Sequence, residues 1–310
     1  MDIYYIKKYN TTVFYKKWQK DCCIISLTLN CLGVITMKDT VAIERMYKQL
    51  KKHITKEVSE LTRADIDAFV NQLFQDKTYN SARFYVSVLN QILKYEKNNN
   101  LISMSDYEVN TNTKGLIKKS ELIEIIEVLD SDQDKFILLA LFNGIAGKQM
   151  TDLINLKKKD VDLNAGTITL SDRVVVMDDY FKKIAKNAME QTHGIVISLS
   201  EDLPCVVEYE YNDKCENVIK VRPYSKNNNG LNPMSYNGMR TKIKDILDYI
   251  GLDSTVASIE KSGYLHKLNE VKCKKTVGAV EEFVKKNKIK VDGYNLFRLY
   301  KNCINVRINC

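Results

Sequence analysis

The residues of this chain best suited to chemistry are basic side chains whose spacing fits contact with a phosphate backbone. Lys157, Lys158 and Lys159 are consecutive, and other basic residues surround the stretch that begins at Ser235. Such groups neutralise phosphates and give salt-dependent affinity, but they do not distinguish bases. The predicted phosphate contacts are Lys157, Lys158, Lys159, Arg222, Lys226, Arg240, Lys242, Lys244 and Lys261, with Lys272, Lys274 and Lys275 as a further group.

Polar residues at two predicted helix starts could contact base edges. Asn, Arg and Gln on exposed helix faces are suited to hydrogen bonding in the major groove. The predicted base contacts are Asn80, Ser81 and Arg83 at one helix start, and Tyr236, Asn237 and Arg240 at another. An alternative remains open: Asn80 and Ser81 only cap a helix, and the lysines only keep the protein soluble.

Other chemistries lack their sequence signatures. The chain contains no Gly-x-x-x-x-Gly-Lys-Ser/Thr loop, no Gly-x-Gly-x-x-Gly and no His-Glu-x-x-His. Its three histidines are isolated, and its eight cysteines include no Cys-x-x-Cys pair. We therefore expect free thiols in a reducing cytosol, with no metal site and no cofactor.

Length and composition favour two globular domains with a polyanionic partner. The chain has 310 residues, 45% of them hydrophobic, and 47 basic against 39 acidic residues give a net charge of +8. The apolar run Cys22–Thr36 is too short to cross a membrane, so no membrane association is expected.

The first half of the chain has the periodicity of helices. Helices are predicted near Val13–Cys23 and over Thr40–Ile54. Thr62-Arg63-Ala64-Asp65 resembles a capping box that opens a third helix. A fourth helix is predicted to end at Asn98-Asn99-Asn100.

The second half mixes helices with short strands. The predicted helices are one capped by Ser120, a buried one over Phe136–Phe142, one over Asp178–Glu190, a basic one from Ser235 to Ile250, and two or three more near the end. The predicted strands are the hairpin Gly166–Val176, Ile195–Leu199, and Val206–Tyr211 joined to Val218–Val221 across residues 212–214.

Three short motifs occur in a meaningful order. Leu61-Thr62-Arg63-Ala64-Asp65-Ile66 comes first, and Asn80-Ser81-Ala82-Arg83 follows. Gly147-Lys148-Gln149-Met150-Thr151-Asp152-Leu153-Ile154-Asn155-Leu156 then precedes Asp160-Val161-Asp162. Together they resemble the tyrosine recombinase (phage-integrase) family, which has Leu-Thr-x-x-Asp-Ile in one domain and Gly-x-Arg-x-x-Glu-Leu-x-x-Leu in the next.

The resemblance implies a fold and a domain organisation. The expected class is mainly α with a small antiparallel β-sheet. A helical core-binding domain over residues 38–104 would be joined by a linker, 105–114, to a tyrosine-recombinase-like catalytic-type domain over 115–310. Residues 1–37 form an unassigned N-terminal segment. In the family, the two domains close around duplex DNA as a C-shaped clamp.

The family's catalytic groups are largely replaced in this chain. Two arginines and a histidine would stabilise the phosphoryl oxygens. Gln149 stands at the first arginine, Ala257 at the histidine and Glu260 at the second arginine, so that only Lys261 keeps a positive charge there. An ionised Glu260 would repel the scissile phosphate.

The remaining catalytic positions are ambiguous. Tyr294 or Tyr300 falls where the nucleophile would be, although Tyr300 also belongs to a helical apolar stripe. Arg173 on the hairpin could take the place of the family's lysine, but a solvated charge is the expected alternative. We expect no useful transesterification without both arginines.

The expected function is therefore sequence-specific binding of double-stranded DNA without cleavage. The chain is similar to the integrase-like repressors of lysogeny of SPβ-type Bacillus prophages, which implies operator DNA, an unknown regulatory protein or peptide, and a cytoplasmic, nucleoid-associated location in a bacterial host. The alternatives are an active divergent recombinase, an architectural DNA-binding protein and a protein-interaction scaffold.

Overall fold

A computed structural model of the chain describes residues 39–75, 77–107, 115–199 and 204–304. The described residues are mainly α-helical with small antiparallel β-sheets, as the sequence predicts. None of their helices is both long and apolar enough to span a membrane. The segment 1–37 with its predicted helix, and residues 108–114 of the predicted linker, lie outside the described residues, so the domain boundaries stay predictions.

Helices account for most of the described elements, and the strands are short. The α-helices are α1 (Asp39–His53), α2 (Arg63–Phe74), α3 (Tyr79–Tyr95), α4 (Lys119–Ile126), α5 (Asp132–Phe142), α6 (Thr151–Ile154), α7 (Asp179–Glu190), α8 (Tyr236–Tyr249), α9 (Val256–Glu270), α10 (Val277–Lys286) and α11 (Gly293–Ile304). The strands are β1 (Val161–Asp162), β2 (Thr167–Thr169), β3 (Val174–Val176), β4 (His193–Leu199) and β5 (Pro204–Glu210).

Contacts divide the chain into two compact units. Among the described residues, the first unit runs to Phe69 and includes Val88–Leu101, and the second is Val70–Ser87 with the residues from Ile102 onward. In the first unit, the backbone N–H of Thr62 donates to Asp65 Oδ2 (2.9 Å) and that of Asp65 donates to Thr62 Oγ1 (3.3 Å). These reciprocal bonds confirm the predicted capping box. Because hydrogen bonds from Thr62 and then Lys56 favour the carboxylate, they lower the pKa of Asp65 to about 2.

Helix α5 is the buried helix of the second unit. Every residue from Phe136 to Phe142 is buried, because the helix is apolar on all sides. The ring centroid of Phe136 lies 5.5 Å from that of Phe181 in α7. The helix ends at Phe142, Gly144 after it has a φ of 79°, and the N–H of Ile145 donates to the carbonyl of Ala140 (2.8 Å). This Schellman-type end directs the chain into the segment that follows.

The strands form two separate sheets. In the predicted hairpin, β2 pairs with β3, and Ile168 opposite Val175 faces the core, while β1 adds a third strand. In the second sheet, β4 pairs with β5. The predicted pairing of residues 206–211 with 218–221 is wrong. The second segment forms no strand, because the N–H of Val218 donates to the carbonyl of Leu156 (2.9 Å).

Local caps begin most of these helices where the sequence predicts. Ser235 Oγ accepts from the N–H of Gly238 (3.1 Å) and begins α8, and Asp178 Oδ1 accepts from that of Phe181 (2.7 Å) and begins α7. Ser120 does not cap α4. That helix begins at Lys119 with Lys118 at the capping position, two residues earlier, and the N–H of Lys118 donates to Glu121 Oε2 (3.2 Å).

The close packing of α9 on α5 requires glycine at position 263. A Cβ there would lie 1.5 Å from the carbonyl oxygen of Phe142. We expect Gly263→Ala to lower the free energy of unfolding by about 3 kcal/mol or more, because backbone must move to make room. Gly278→Ala in α10 is the matched control, since no atom lies within 4 Å of its added Cβ. Denaturant unfolding measures both, and equal stabilities of the two variants would contradict this packing.

Candidate nucleic-acid interface

The segment around Gln149 is a kinked turn rather than a continuous helix. Lys148–Met150 form a 3₁₀ turn, and α6 follows directly. Gln149 and Met150 have φ values of 53° and 59°, in the left-handed region that residues other than glycine rarely adopt. The side chain of Gln149 is exposed.

Position 147 must be glycine for two reasons. Its φ is 73°, and a Cβ there would lie 2.4 Å from Cγ of Asp152. The side chain of Asp152 is only 15% exposed, and its Oδ2 accepts from Arg173 Nη2 (3.2 Å). Glycine at 147 therefore allows Asp152 to approach Arg173.

Arg173, just before β3, uses its guanidinium within the protein. Its Nη1 donates to Asp172 Oδ1 (2.7 Å), and its Nη2 donates to the carbonyl of Gly144 (2.7 Å) as well as to Asp152. The side chain is 16% exposed. The expectation of a solvated charge at Arg173 is therefore wrong, because two carboxylates and a carbonyl hold it against the end of α5.

Glu260 on α9 is a mostly buried carboxyl group. The O–H of Tyr264, one turn later, donates to Glu260 Oε1 (3.4 Å). Burial raises the pKa of Glu260 to about 7, although the Tyr264 hydrogen bond and the charges of Arg173 and Lys290 act in the opposite direction. Close to neutral pH this group is therefore only partly ionised.

The three positions predicted to replace catalytic groups meet in space. Gln149, Ala257 and Glu260 line one cavity of about 1150 Å³. The same cavity is lined by the predicted DNA-contacting residues Arg83, Tyr236, Asn237, Arg240 and Lys244. All of these except Glu260 are exposed, and Arg240 and Lys244 lie one turn apart on α8. We call this the α8 cavity.

Glu260 also lines a second cavity, which is strongly basic. Its volume is about 1050 Å³, and seven basic residues line it against four acidic ones. We call it the hairpin cavity, because β3 forms one wall. Lys267 lines it too, and its Nζ donates to the carbonyl of Asn143 (3.1 Å) while burial lowers its pKa. Lys267 was not predicted as a site residue. The sequence signal for it is that it lies seven residues after Glu260, which places both on the same face of α9.

The two candidate nucleophiles lie elsewhere. Tyr300 is 3% exposed, and its O–H donates to the carbonyl of Cys273 (3.3 Å) within a core cluster that includes Leu268 and Leu296. Tyr294 is 53% exposed. Neither is among the residues that line the α8 cavity, the hairpin cavity or a third cavity of about 570 Å³ beside Glu260.

Two predicted base contacts are wrong because they are buried. Asn80 and Ser81 are 0% and 1% exposed, and Asn80 Nδ2 donates to the carbonyl of Leu116 (3.2 Å). Their neighbour Arg83 remains half exposed and forms an ion pair with Asp253 (3.2 Å). Of that group only Arg83 can reach a partner outside the protein.

The predicted phosphate contacts differ in their exposure and in whether they form ion pairs within the protein. Lys157 pairs with Glu216 (2.9 Å), which raises the pKa of Lys157, and Lys242 pairs with Asp134 (2.6 Å). Lys158 and Lys261 are partly exposed. The exposed members of the set are Lys159, Arg222, Lys226, Arg240, Lys244, Lys272, Lys274 and Lys275.

Comparison with known proteins gives one family match and several structural likenesses. A family model described as MrpR, C-terminal catalytic domain, matches residues 116–307. No curated protein matches the chain. Among the residues that the structure describes, no group of three potential ligands could hold a metal ion.

The solved structures that resemble the chain do so at low identity. XerA recombinase is 13% identical with a TM-score of 0.42, covering 92% of this chain and 98% of its own. The Tn1549 transposon integrase in complex with transposon right end DNA is 9% identical at 0.39, covering 90% and 94%. A lambda integrase dimer bound to a COC′ core site is 11% identical at 0.35, covering 90% and 94%. These likenesses leave the function of the chain open.

The raised pKa of Glu260 predicts a pH-dependent stability. Because the folded protein keeps this proton up to about pH 7 whereas the unfolded chain releases it near its ordinary value of 4.5, the free energy of unfolding falls as pH rises through that window. The loss is on the order of 3 kcal/mol. Glu260→Gln should therefore stabilise the protein at about pH 8 but little at about pH 5.

Denaturant unfolding of the wild type and Glu260→Gln across this range measures the effect. The exposed Glu282→Gln on α10 makes the same charge change away from the cavities and serves as the control. Parallel pH profiles for the wild type and Glu260→Gln would show that this carboxyl does not hold its proton as described.

Proposed function

The chain belongs to the family described as MrpR, C-terminal catalytic domain, and on that premise we propose that it is a sequence-specific double-stranded DNA-binding protein without recombinase activity. Its role would be that of a phage lysogeny repressor. The observation that carries the proposal is the α8 cavity, where Gln149, Ala257 and Glu260 meet beside exposed basic residues.

The absence of concentrated positive charge in that cavity supports the loss of chemistry. Transfer of a phosphoryl group requires donors and cations aimed at the oxygens where charge develops, and removal of one such donor costs roughly 10²–10³ in rate. Here an amide, a methyl group and a carboxyl group occupy the three positions. Arg173 does not replace them, because its guanidinium is held by Asp152 and Asp172.

The exposed face of α8 supports retention of DNA binding. Arg240 and Lys244 could contact phosphates, while Tyr236 and Asn237 at the helix start could contact base edges. The positive end of the α8 helix dipole also favours a negatively charged partner. Arg83 adds a further half-exposed charge to this face.

The repressor role rests on the resemblance of the sequence motifs to the integrase-like repressors of SPβ-type Bacillus prophages. A protein that holds an operator without cutting it blocks transcription by occupancy. The partners would be operator DNA and a regulatory protein or peptide that relieves repression, in the cytoplasm and on the nucleoid of a bacterial host.

An active but divergent recombinase is the second candidate, because the matching family is described as a catalytic domain and Tyr294 is exposed. Two further candidates are an architectural DNA-binding protein and a protein-interaction scaffold, and footprinting distinguishes them.

Loss of charge on α8 should weaken DNA binding in a salt-dependent way. We expect Arg240→Gln combined with Lys244→Gln to lower affinity for duplex DNA roughly 10- to 100-fold and to reduce the log–log salt slope by about 2, since each phosphate contact releases about one counterion. Fluorescence anisotropy over a salt series measures both quantities. Lys186→Gln on α7 is the control, because Lys186 is exposed and lines none of the three cavities.

Footprinting on SPβ-type prophage DNA tests sequence preference. Discrete protected sites support the repressor. Protection without discrete sites would favour an architectural protein, and no salt-dependent binding to any duplex would favour the scaffold, so either result overturns the proposal.

The chemistry is tested with a nicked suicide substrate that traps a covalent intermediate. We expect no protein–DNA adduct from the wild type, because Gln149, Ala257 and Glu260 do not supply the charge that the step needs. A denaturing gel measures the adduct. An adduct that disappears in Tyr294→Phe or in Tyr300→Phe would identify the nucleophile and show the protein to be an enzyme.

A further inference from the structure

Glu260 lies where the described cavities of the second unit meet. It lines the α8 cavity, the hairpin cavity and the third cavity beside Lys261, Lys290 and Arg298. It lies on the second turn of α9, where Ile259 and Ser262 are buried, so the backbone at this position is held in the core. An anion entering the α8 or the hairpin cavity therefore meets the same carboxyl group.

The charges around Glu260 are nearly balanced without it. Arg173 just before β3 and Lys290 from the segment before α11 are cationic, while Asp152 from α6 and Asp172 beside Arg173 are anionic. One more negative charge leaves this group with three carboxylates against two cations. Ionisation of Glu260 therefore makes the net charge of this inner group negative, although further lysines line the hairpin cavity around it.

The other groups around Glu260 come from α9 and α8. Tyr264 on α9 donates to its carboxyl oxygen, and Lys261 follows it in the chain. From α8, Arg240, Lys244 and Asp248 line the shared α8 cavity. The lysine and arginine of α8 are exposed and remain available to an anion whether or not Glu260 carries charge.

We propose that Glu260 is the residue that decides whether these cavities accept a phosphate group, admitting it when the carboxyl is neutral and opposing it when the carboxyl is ionised. This inference rests on the proposed DNA-binding function, and it names a determinant of affinity within that site. At the ionised carboxyl, the proton goes to solvent and the negative charge stays within reach of the bound phosphate. A protonated carboxyl can instead donate a hydrogen bond to a phosphate oxygen.

The physical basis is charge repulsion in a poorly solvated place. Two like charges several ångströms apart at a protein surface repel strongly enough to change affinity about tenfold. The raised pKa of Glu260, about 7, brings its ionisation into the range in which a cytoplasmic protein works. Binding by this cavity should therefore weaken as pH rises through neutrality, which is the direction opposite to a site that depends on an ionised carboxylate.

The test compares full-length wild type, Glu260→Gln and Glu282→Gln for affinity toward duplex DNA at about pH 6 and about pH 8. We expect Glu260→Gln to bind roughly tenfold more tightly than wild type at the higher pH and about equally at the lower pH. Glu282→Gln should follow the wild type, because it changes net charge equally on α10 outside the three cavities. Other groups that titrate here, such as His266 beside Glu270, are the same in all three proteins.

A second measurement uses sulfate, which stays doubly charged throughout this pH range. Thermal stabilisation by sodium sulfate, relative to sodium chloride at equal ionic strength, should be larger for Glu260→Gln than for Glu282→Gln at about pH 8 and similar at about pH 6. If sulfate shows this difference while no duplex binds, Glu260 controls anion entry and the DNA-binding function fails.

Two results would overturn the proposal itself. One is DNA binding with the same pH dependence in wild type and Glu260→Gln. The other is an equal gain for Glu282→Gln, which would reduce the effect to net charge. Either leaves DNA binding intact and removes Glu260 as its determinant.

Discussion

The ion pair between Arg173 and Asp152 is the contact on which the geometry of the site depends. It joins the start of β3 to α6, and the same guanidinium reaches the carbonyl of Gly144 at the end of α5. Removing one partner from a mostly buried pair costs about 3–5 kcal/mol, because the other charge is left without compensation. The pair also requires glycine at 147, since any Cβ there would overlap the carboxylate of Asp152. The end of a helix, a left-handed turn and a hairpin are thereby held at one place.

This arrangement uses the site's most deeply placed arginine for structure. Asp152 and Asp172 both accept hydrogen bonds from Arg173, so its charge is largely neutralised within the protein. Glu260 lines the same cavity as Arg173, and burial raises its pKa to about 7. Accessible cations remain on α8 and along the hairpin cavity, where they lie around Arg173 and Glu260.

Features set by local chemistry could be predicted from the sequence. The capping box at Thr62 and Asp65, the cap at Ser235 and the hairpin Gly166–Val176 depend on residues a few positions apart, and each was found as expected. Features set by distant partners could not. Asn80 and Ser81 look like an exposed helix start, yet the carboxylate of Glu121 accepts the N–H of Thr78 (3.0 Å) across 43 residues, and this end of α3 is buried. Residues 218–221 were expected to pair with 206–211 because the segments are close in sequence, but the N–H of Val218 donates to the distant carbonyl of Leu156 instead.

Backbone contacts explain the left-handed conformation of Gln149 without reference to its side chain. A left-handed residue other than glycine costs roughly 1 kcal/mol or more, and such strain persists only where the surroundings impose it. The surroundings here are structural: the N–H of Asp152 donates to the carbonyl of Ala146 (3.0 Å), which closes the turn and directs the carboxylate to Arg173. The strained turn is therefore explained by the fold alone, whatever side chain projects from it. The frame therefore does not depend on the charge of the side chain at position 149, and the exposed cations of the α8 cavity lie along one helix face rather than at a single point.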